Sequence, residues 1–205
     1  MNIGIYIYDE VEVLDFSGPF EVFTTASRVY ERIYPDTPKL FNVFLIAEKA
    51  GMISARANFN VQPHYTIKDH PELYVLIVPG GVHAHELGKA NVIEWLAKVS
   101  PNTTLTASVC TGAFLLAKAG ILKDKACTTH WEDVDDLRTM FPALNVKEDV
   151  PWVDNGQVIT SAGISAGIEM ALHLVSKLTT KEIAKLTARQ MQYTWTNESL
   201  SQEQK

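Results

Sequence analysis

The chain of 205 residues contains no apolar run long enough to span a bilayer and only two cysteines, Cys110 and Cys127. We therefore expect no membrane partner, and free thiols in a reducing cytoplasm are the simplest interpretation of the cysteine content. Acidic residues outnumber basic residues by 24 to 18, and the net charge of -6 argues against nucleic acid as a partner. The N-terminus runs directly into an apolar segment, so we expect no signal peptide.

The rest of the composition is ordinary for a globular protein, with 46% hydrophobic and 20% charged residues. The length suits one α/β domain with a sizeable core. The sequence shows no internal repeat, low-complexity tract or domain linker. We expect a single domain over residues 1–197 and a flexible polar tail over residues 198–205.

Apolar segments alternate with segments of helical periodicity. Buried strands are predicted for residues 3–8, 41–47, 73–78, 104–109 and 125–130. Helices are predicted for residues 17–29, 92–99, 132–140, 164–178 and 181–195. Ser17 is the expected N-cap of the first helix, and the Asn-Gly pair at residues 155–156 predicts a hairpin. The alternation indicates an α/β fold, with a parallel sheet covered by helices on both faces.

The strongest local signal is centred on Cys110. Small and β-branched residues before it are typical of a buried strand, and the good helix formers after it end at Gly120. A strand that turns sharply into a helix places its pivot residue above the carboxyl ends of the strands, beside the free N–H groups of the helix. We therefore expect Cys110 to be a nucleophile that forms a thiolate more readily than a free cysteine. The alternative is a buried cysteine that acts as a small hydrophobic residue.

Two other loops follow core strands and should lie at the same edge of the sheet. Asp15 comes after the first strand, where it could hold a proton beside the sulfur or activate a water. Gly80 and Gly81 come after the third strand, and the N–H groups of Gly81 and Thr111 could stabilise a developing negative charge. The Thr111 hydroxyl could bind substrate or water. The alternatives are a turn or capping role for Asp15, a plain turn for the glycines and an N-cap role for Thr111.

Glu21 is an alternative to Asp15 as the functional carboxylate. Its position is explained more simply by a favourable interaction with the helix dipole. His130 ends the predicted strand at residues 125–130 and could act as a base for Cys110, and a packing or surface role is the alternative. His83 and His85 follow the glycine pair and could line the pocket. The remaining histidines are assigned to the surface or to packing; they are His64, His70 and His173.

Trp131 and Trp152 are candidate apolar walls of the pocket. Gly163 lies in a small-residue turn that could bound a tight pocket or allow close packing of a helix on the sheet. Cys127 and His130 form a lone C-x-x-H pair, but a zinc site needs further ligands. We therefore expect Cys127 to be a core residue, and we expect neither a metal ion nor a cofactor.

Five motifs give the sequence a specific resemblance. They are LDFSGP at residues 14–19, VPGG at 78–81, SVCTG at 108–112, TTHW at 128–131 and TSAGISAGI at 160–168. In this order the motifs resemble those of the DJ-1/PfpI superfamily, which is related to class I glutamine amidotransferases. The resemblance implies a flavodoxin-like sandwich with a mostly parallel sheet, a cysteine nucleophile elbow and a homodimer.

Within the superfamily, the pattern is most similar to that of isonitrile hydratases and of the sensor-like N-terminal domains of AraC-type regulators. The hydratase resemblance implies that Asp15, Cys110 and Thr111 are the functional trio. It further implies attack of the thiolate on the isonitrile carbon, a thioimidate-like intermediate, and release of an N-substituted formamide by a water that Asp15 activates.

Two departures separate this chain from other branches. Thr111 stands where the protease-like branch has histidine, and Asp15 stands where the DJ-1 branch has glutamate. Because the chain stops near residue 205, we expect no DNA-binding domain of the regulator type in cis. The competing functions are a glyoxalase or deglycase acting on small aldehydes, and a non-catalytic sensor of a small molecule or an oxidant.

Overall fold

The computed structural model describes residues 1–196, and the expected tail over residues 198–205 lies outside them. Its centre is a seven-stranded sheet whose strands, in spatial order, are β10 (Trp152–Asp154), β11 (Val158–Ser161), β7 (Leu105–Val109), β6 (Val75–Val78), β1 (Asn2–Tyr6), β2 (Asn42–Ala47) and β5 (Tyr65–Thr66). All neighbouring strands run parallel except β10, which pairs antiparallel with β11.

The helices and the remaining strands connect and cover this sheet. The helices are α1 (Val13–Ile33), α2 (Ala84–Leu87), α3 (Ala90–Val99), α4 (Gly112–Lys118), α5 (Val134–Met140), α6 (Ala166–Leu178) and α7 (Lys181–Gln190). Two small pairs stand apart, namely the hairpin of β3 (Ile53–Ala55) with β4 (Phe59–Val61), and β8 (Ala126–Cys127) with β9 (Asn145–Val146). None of the helices in residues 1–196 combines the length and the apolarity needed to cross a membrane.

The central strands are buried on both faces, which explains why apolar and small residues make up most of their sequences. Every residue of β6, β7 and β11 is buried. Helices must cover both faces of such a parallel sheet, because neither face can be left exposed to water. Helices α1, α6 and α7 pack together, and α2, α3 and α4 form a second packed group. The predicted α/β fold with a mostly parallel sheet is confirmed.

The order of the strands determines where the site lies. From β1 the chain proceeds to β2 on one side, whereas β6 and β7 extend the sheet on the other. The carboxyl ends of β1, β6 and β7 therefore meet near a point where the direction of winding changes. Ligands bind at such a point in open α/β sheets.

Several predicted boundaries were wrong at this edge. Helix α1 begins at Val13, with Glu12 at its N-cap position, so Ser17 lies inside the helix and does not cap it. The predicted strand at residues 125–130 is reduced to β8, and a short 3₁₀ turn over Trp131–Asp133 follows it. The predicted hairpin is present between β10 and β11, with Asn155 and Gly156 at its turn.

Candidate functional site

Cys110 stands at a strained turn between β7 and α4. Its φ of 54° lies in the left-handed region, which costs energy for a residue other than glycine. The two shortest hydrogen bonds of the Cys110 backbone hold the turn: the Cys110 N–H donates to the Ser161 carbonyl over 3.1 Å, and the Thr129 hydroxyl donates to the Cys110 carbonyl over 2.9 Å. The predicted strand-to-helix elbow at Cys110 is therefore present.

Asp15 lies in the first turn of α1 and has no exposed surface. Its Oδ2 accepts a hydrogen bond of 3.0 Å from the Gly80 N–H, whereas Oδ1 has no partner of standard geometry among the described residues. Burial raises the pKa of Asp15 to about 7, and the charge of Glu12 adds to this rise. The Gly80 N–H and the nearby Cys110 thiol act in the opposite direction. Asp15 is thus a carboxyl group that exchanges its proton near neutral pH.

The pKa of Cys110 is raised, so the predicted ready formation of a thiolate was wrong for the free protein. Burial is the largest cause, and the negative charge of Asp15 adds to it. The Thr111 N–H at the start of α4 lowers the pKa but is outweighed. The sulfur is therefore a protonated thiol at neutral pH. It must lose its proton as it reacts, and Asp15 is the carboxyl group beside it.

Thr111 and Gly81 bind each other. The Gly81 N–H donates to Thr111 Oγ1 over 2.9 Å, and the same hydroxyl donates to the Gly81 carbonyl over 3.0 Å. Hence the Thr111 side chain does not cap α4, contrary to one alternative, and the Gly81 N–H is occupied and not open to a substrate. Gly81 has a φ of 141°, and an added Cβ would overlap the carbonyl of Glu10, so the loop requires glycine.

His130 and Asp133 lie close to Cys110. His130 Nδ1 is 3.3 Å from Asp133 Oδ2, and ligand atoms of Cys110, His130 and Asp133 all lie within 4.8 Å of one another. Gly163 permits this approach, because a Cβ there would overlap the His130 ring and the Cys110 sulfur. Gly163 thus allows the close approach of His130 to Cys110, whereas close packing of a helix on the sheet is found at Gly167, where a Cβ would crowd Val109.

An open cavity of about 380 Å³ lies above the elbow. The residues that line it are Glu12, Arg56, Gly81, Val82, His83, Ala84, Cys110, Thr111, His130, Glu132, Asp133 and Ile164. The His83 ring packs on Phe114 with a centroid distance of 4.3 Å, and burial lowers its pKa, so the ring faces the cavity as a neutral imidazole. Asp15 does not line the cavity and is fully buried, in contact with Cys110.

Several sequence-predicted residues lie elsewhere. Trp131 is 74% exposed and does not line the cavity, whereas Trp152 is fully buried and packs against His173. Neither tryptophan is a wall of this cavity. His85 is exposed, and Gly80 contributes its N–H to Asp15 and no surface to the cavity.

The residues assigned to packing or to the surface are found there. Glu21 forms a surface ion pair with Arg28, so it is not a rival to Asp15. Cys127 is a fully buried core residue. The three remaining histidines make contacts away from the cavity. His64 accepts a hydrogen bond from the Leu45 N–H, and His70 accepts one from Trp95 Nε1. His173 forms a hydrogen bond with Asp154.

Sequence reasoning missed Thr129 and Asp133. The TTHW motif includes Thr129 but indicates no role for it. In the structure, the Thr129 hydroxyl donates a hydrogen bond to the carbonyl of the elbow residue. Asp133 follows His130 by three residues, a spacing that places both on one side of a helical turn. The spacing of His130 and Asp133 is the feature of the sequence that could have indicated their pairing. It points to the site only once the structure shows that this turn faces Cys110.

Comparison with known proteins agrees with the fold and the elbow. A family model described as the DJ-1/PfpI family matches residues 1–177. The chain is 31% identical over 194 residues to an isonitrile hydratase from Pseudomonas putida, covering 94% of this chain and 78% of that protein. A crystal structure of a ThiJ/PfpI family protein from Pseudomonas syringae superposes with a TM-score of 0.81 at 24% identity, covering 94% of this chain and 74% of that one.

The family also contains proteins of another kind. The chain is 27% identical over 150 residues to the transcriptional regulator CdhR from Pseudomonas aeruginosa. That match covers 73% of this chain but only 44% of the regulator. The match of the family model across most of the chain, together with the hydratase similarity, shows that this chain belongs to the DJ-1/PfpI family.

Proposed function

We propose that this protein is a cysteine-dependent hydratase of small organic molecules that converts an isonitrile and water into an N-substituted formamide. The observation that carries the proposal is the contact of a buried carboxyl group, Asp15, with the Cys110 thiol beneath an open cavity. The 31% identity to an isonitrile hydratase supports the choice of substrate.

In the first step, the Cys110 sulfur attacks the terminal carbon of the isonitrile. The thiol proton passes to Asp15 and from there to the same carbon, which ends with new C–S and C–H bonds. The product is a thioimidate ester of Cys110. A carboxyl group with a pKa near 7 suits this transfer, because it can accept and release a proton at similar cost.

In the second step, a water from the cavity adds to the thioimidate carbon. A base removes a proton from the water and passes it to the imidate nitrogen. The C–S bond then breaks as the new hydroxyl becomes the formamide carbonyl, and the hydroxyl proton returns to the sulfur as the formamide leaves. Asp15 is our first choice for this base because it contacts Cys110. His130 is the second choice, since it lines the cavity and has ring atoms within 4.8 Å of the sulfur.

The remaining groups position these two steps. The Thr111 hydroxyl, held against Gly81, forms part of the wall beside the sulfur. The cavity carries the carboxylates of Glu12, Glu132 and Asp133 against the single cation of Arg56. A small uncharged substrate fits this balance better than an anion does.

The test is a panel of a simple alkyl isonitrile, methylglyoxal and an amide, supplied to the wild type and to Cys110→Ala. We expect formamide from the isonitrile with the wild type only. Turnover of methylglyoxal alone would replace this proposal by a glyoxalase or deglycase function. Formamide production by Cys110→Ala at the wild-type rate would remove the nucleophile from the reaction.

A non-catalytic sensor is the second candidate, and the similarity to CdhR favours it. A sensor would bind a small molecule in the cavity, or oxidise at Cys110, without turnover of any compound in the panel. Mass spectrometry after mild peroxide treatment, on protein that turns over nothing, separates this function from the hydratase.

We further propose that the protein works in the cytoplasm as a homodimer. Support comes from its two free cysteines and from the resemblance to family members. Light scattering coupled to size-exclusion chromatography measures the mass directly, and a monomer at micromolar concentration would overturn the dimer.

A further inference from the structure

The side chains of Cys110, His130 and Asp133 form a cluster that the proposed reaction does not fully use. Each offers one ligand atom, a sulfur, a ring nitrogen and a carboxylate oxygen, and the three lie within 4.8 Å of one another. They come from two separate parts of the chain, because Cys110 lies at the elbow whereas His130 and Asp133 flank the 3₁₀ turn after β8. The cluster is therefore a product of the fold.

The geometry is close to that of a tetrahedral zinc site. Zinc binds sulfur, imidazole nitrogen and carboxylate oxygen at about 2.0–2.3 Å, which places neighbouring ligand atoms about 3.3–3.8 Å apart. His130 Nδ1 and Asp133 Oδ2 are already 3.3 Å apart. The sulfur needs only a small movement, and its side chain can rotate at the Cα–Cβ bond.

The cluster is also open to an entering ion. All three residues line the cavity of about 380 Å³. The side chains of His130 and Asp133 are 18% and 28% exposed, so both can be reached from solvent while they are still held in place. Glu132 Oε2 lies 3.9 Å from His130 Nδ1, so a further carboxylate faces the same nitrogen. A site with three protein ligands keeps a fourth position for water.

We propose that Cys110, His130 and Asp133 bind one Zn²⁺ ion, which reversibly blocks the nucleophile. Binding forms a bond between the metal and the Cys110 sulfur, and the thiol proton is released to the buffer. The metal withdraws negative charge from the bound sulfur and occupies the space beside it, so the sulfur is a weaker nucleophile toward a substrate carbon. This differs from the C-x-x-H pair of the sequence, because Cys127 is buried in the core and Cys110 takes its place.

The direct test is competition for Zn²⁺ between the reduced protein and a chromogenic chelator. We expect the wild type to remove one Zn²⁺ per chain from the chelator. Loss of a ligand should weaken binding by about 10- to 100-fold or more, so Cys110→Ser and Asp133→Asn should compete poorly. Asp135→Asn is the matched control, since Asp135 lies on the same segment with its side chain 93% exposed and outside the cluster.

A second measurement needs no variant that might misfold. Zn²⁺ should slow the alkylation of Cys110 in the wild type by at least about tenfold, and chelation with EDTA should restore the original rate. The labelling of Cys127 serves as the internal reference. Wild-type protein that fails to compete with the chelator, or Cys110→Ser or Asp133→Asn that competes as well as the wild type, would overturn the site.

Neither measurement requires turnover, so the two proposals can fail separately. Isonitrile hydration without zinc binding would remove the metal site and leave the hydratase. Zinc binding by a protein that turns over no isonitrile would uphold the metal site and remove the hydratase.

Discussion

The Thr129 hydroxyl donates a hydrogen bond of 2.9 Å to the carbonyl oxygen of Cys110, the elbow residue that has a positive φ. The contact joins two segments that are 19 positions apart, and both residues are buried. Because the left-handed conformation of Cys110 is unfavourable in isolation, the surrounding contacts must maintain it. Thr129 is therefore a structural support of the nucleophile.

Replacement of this hydroxyl should be costly. Thr129→Val keeps the shape of the side chain but removes the 2.9 Å donor of the Cys110 carbonyl, which keeps only the 3.4 Å hydrogen bond from the Ala113 N–H. We expect the free energy of unfolding to fall by about 1–3 kcal/mol, measured by chemical denaturation at pH 7. Thr37→Val, at an exposed loop position, is the control and should change little. Equal stability of the two variants would show that the elbow does not depend on Thr129.

The two cysteines should differ in reactivity. Cys110 lines the cavity, whereas Cys127 is fully buried in the core and has no exposed surface. We expect iodoacetamide to label Cys110 much faster than Cys127, and the labelling rate of Cys110 to rise with pH because its own pKa is raised. Peptide mass spectrometry over a time course measures both rates. Preferential labelling of Cys127 would contradict the accessibility of Cys110.

Removal of the acid-base function of Asp15 should abolish most turnover. Asp15→Asn keeps an oxygen that can accept from the Gly80 N–H, but the amide cannot carry the proton. We expect the rate of isonitrile hydration to fall by about 10²- to 10⁴-fold. Glu21→Gln, which alters a surface carboxylate, should keep most of the activity. A folded Asp15→Asn protein with near wild-type rate would transfer the base role to His130.

The same substitution should stabilise the protein at alkaline pH. Burial raises the pKa of Asp15 from 3.8 to about 7, so between these values the folded state binds a proton that the unfolded state has lost. Stability therefore falls as the pH rises through this window, and the full penalty applies above about pH 7. The pKa difference corresponds to at most about 4 kcal/mol.

Asp15→Asn removes that penalty. We expect its midpoint of thermal unfolding to exceed that of the wild type at pH 8 and to approach it at pH 4. Differential scanning calorimetry at the two pH values is the measurement. If the variant were less stable than the wild type at pH 8, the protein would have to stabilise the buried carboxylate by interactions that the amide cannot make.

His130→Ala separates the two candidate bases. If Asp15 handles the protons in both steps, the variant should keep part of its turnover, because His130 then only lines the cavity. Its pH–rate profile should still rise near pH 7 with the ionisation of Asp15. Complete loss of turnover in a folded variant would make His130 the working base.

Much of the fold could be predicted from local patterns. The strands β1, β2, β6 and β7 consist mostly of apolar and small residues because both faces of the sheet are covered, and that pattern is visible in sequence. The elbow at Cys110 was also visible, since the change from β-formers to helix formers occurs within a few residues. Errors occurred at element ends such as the start of α1, where no side chain caps the helix and packing alone decides the boundary.

The protonation states of Asp15 and Cys110 depend on contacts between residues far apart in the sequence, which no local pattern shows. Asp15 and Gly80 are 65 positions apart, yet their hydrogen bond and the burial around them set the pKa of the carboxyl group. The sequence identified Cys110 and Asp15 as the residues that could react. Only the tertiary structure decided that Asp15 lies in contact with the sulfur, that the Gly81 N–H is already occupied, and that the thiol stays protonated, because desolvation and electrostatic interactions arise from neighbours in space and not from neighbours in sequence.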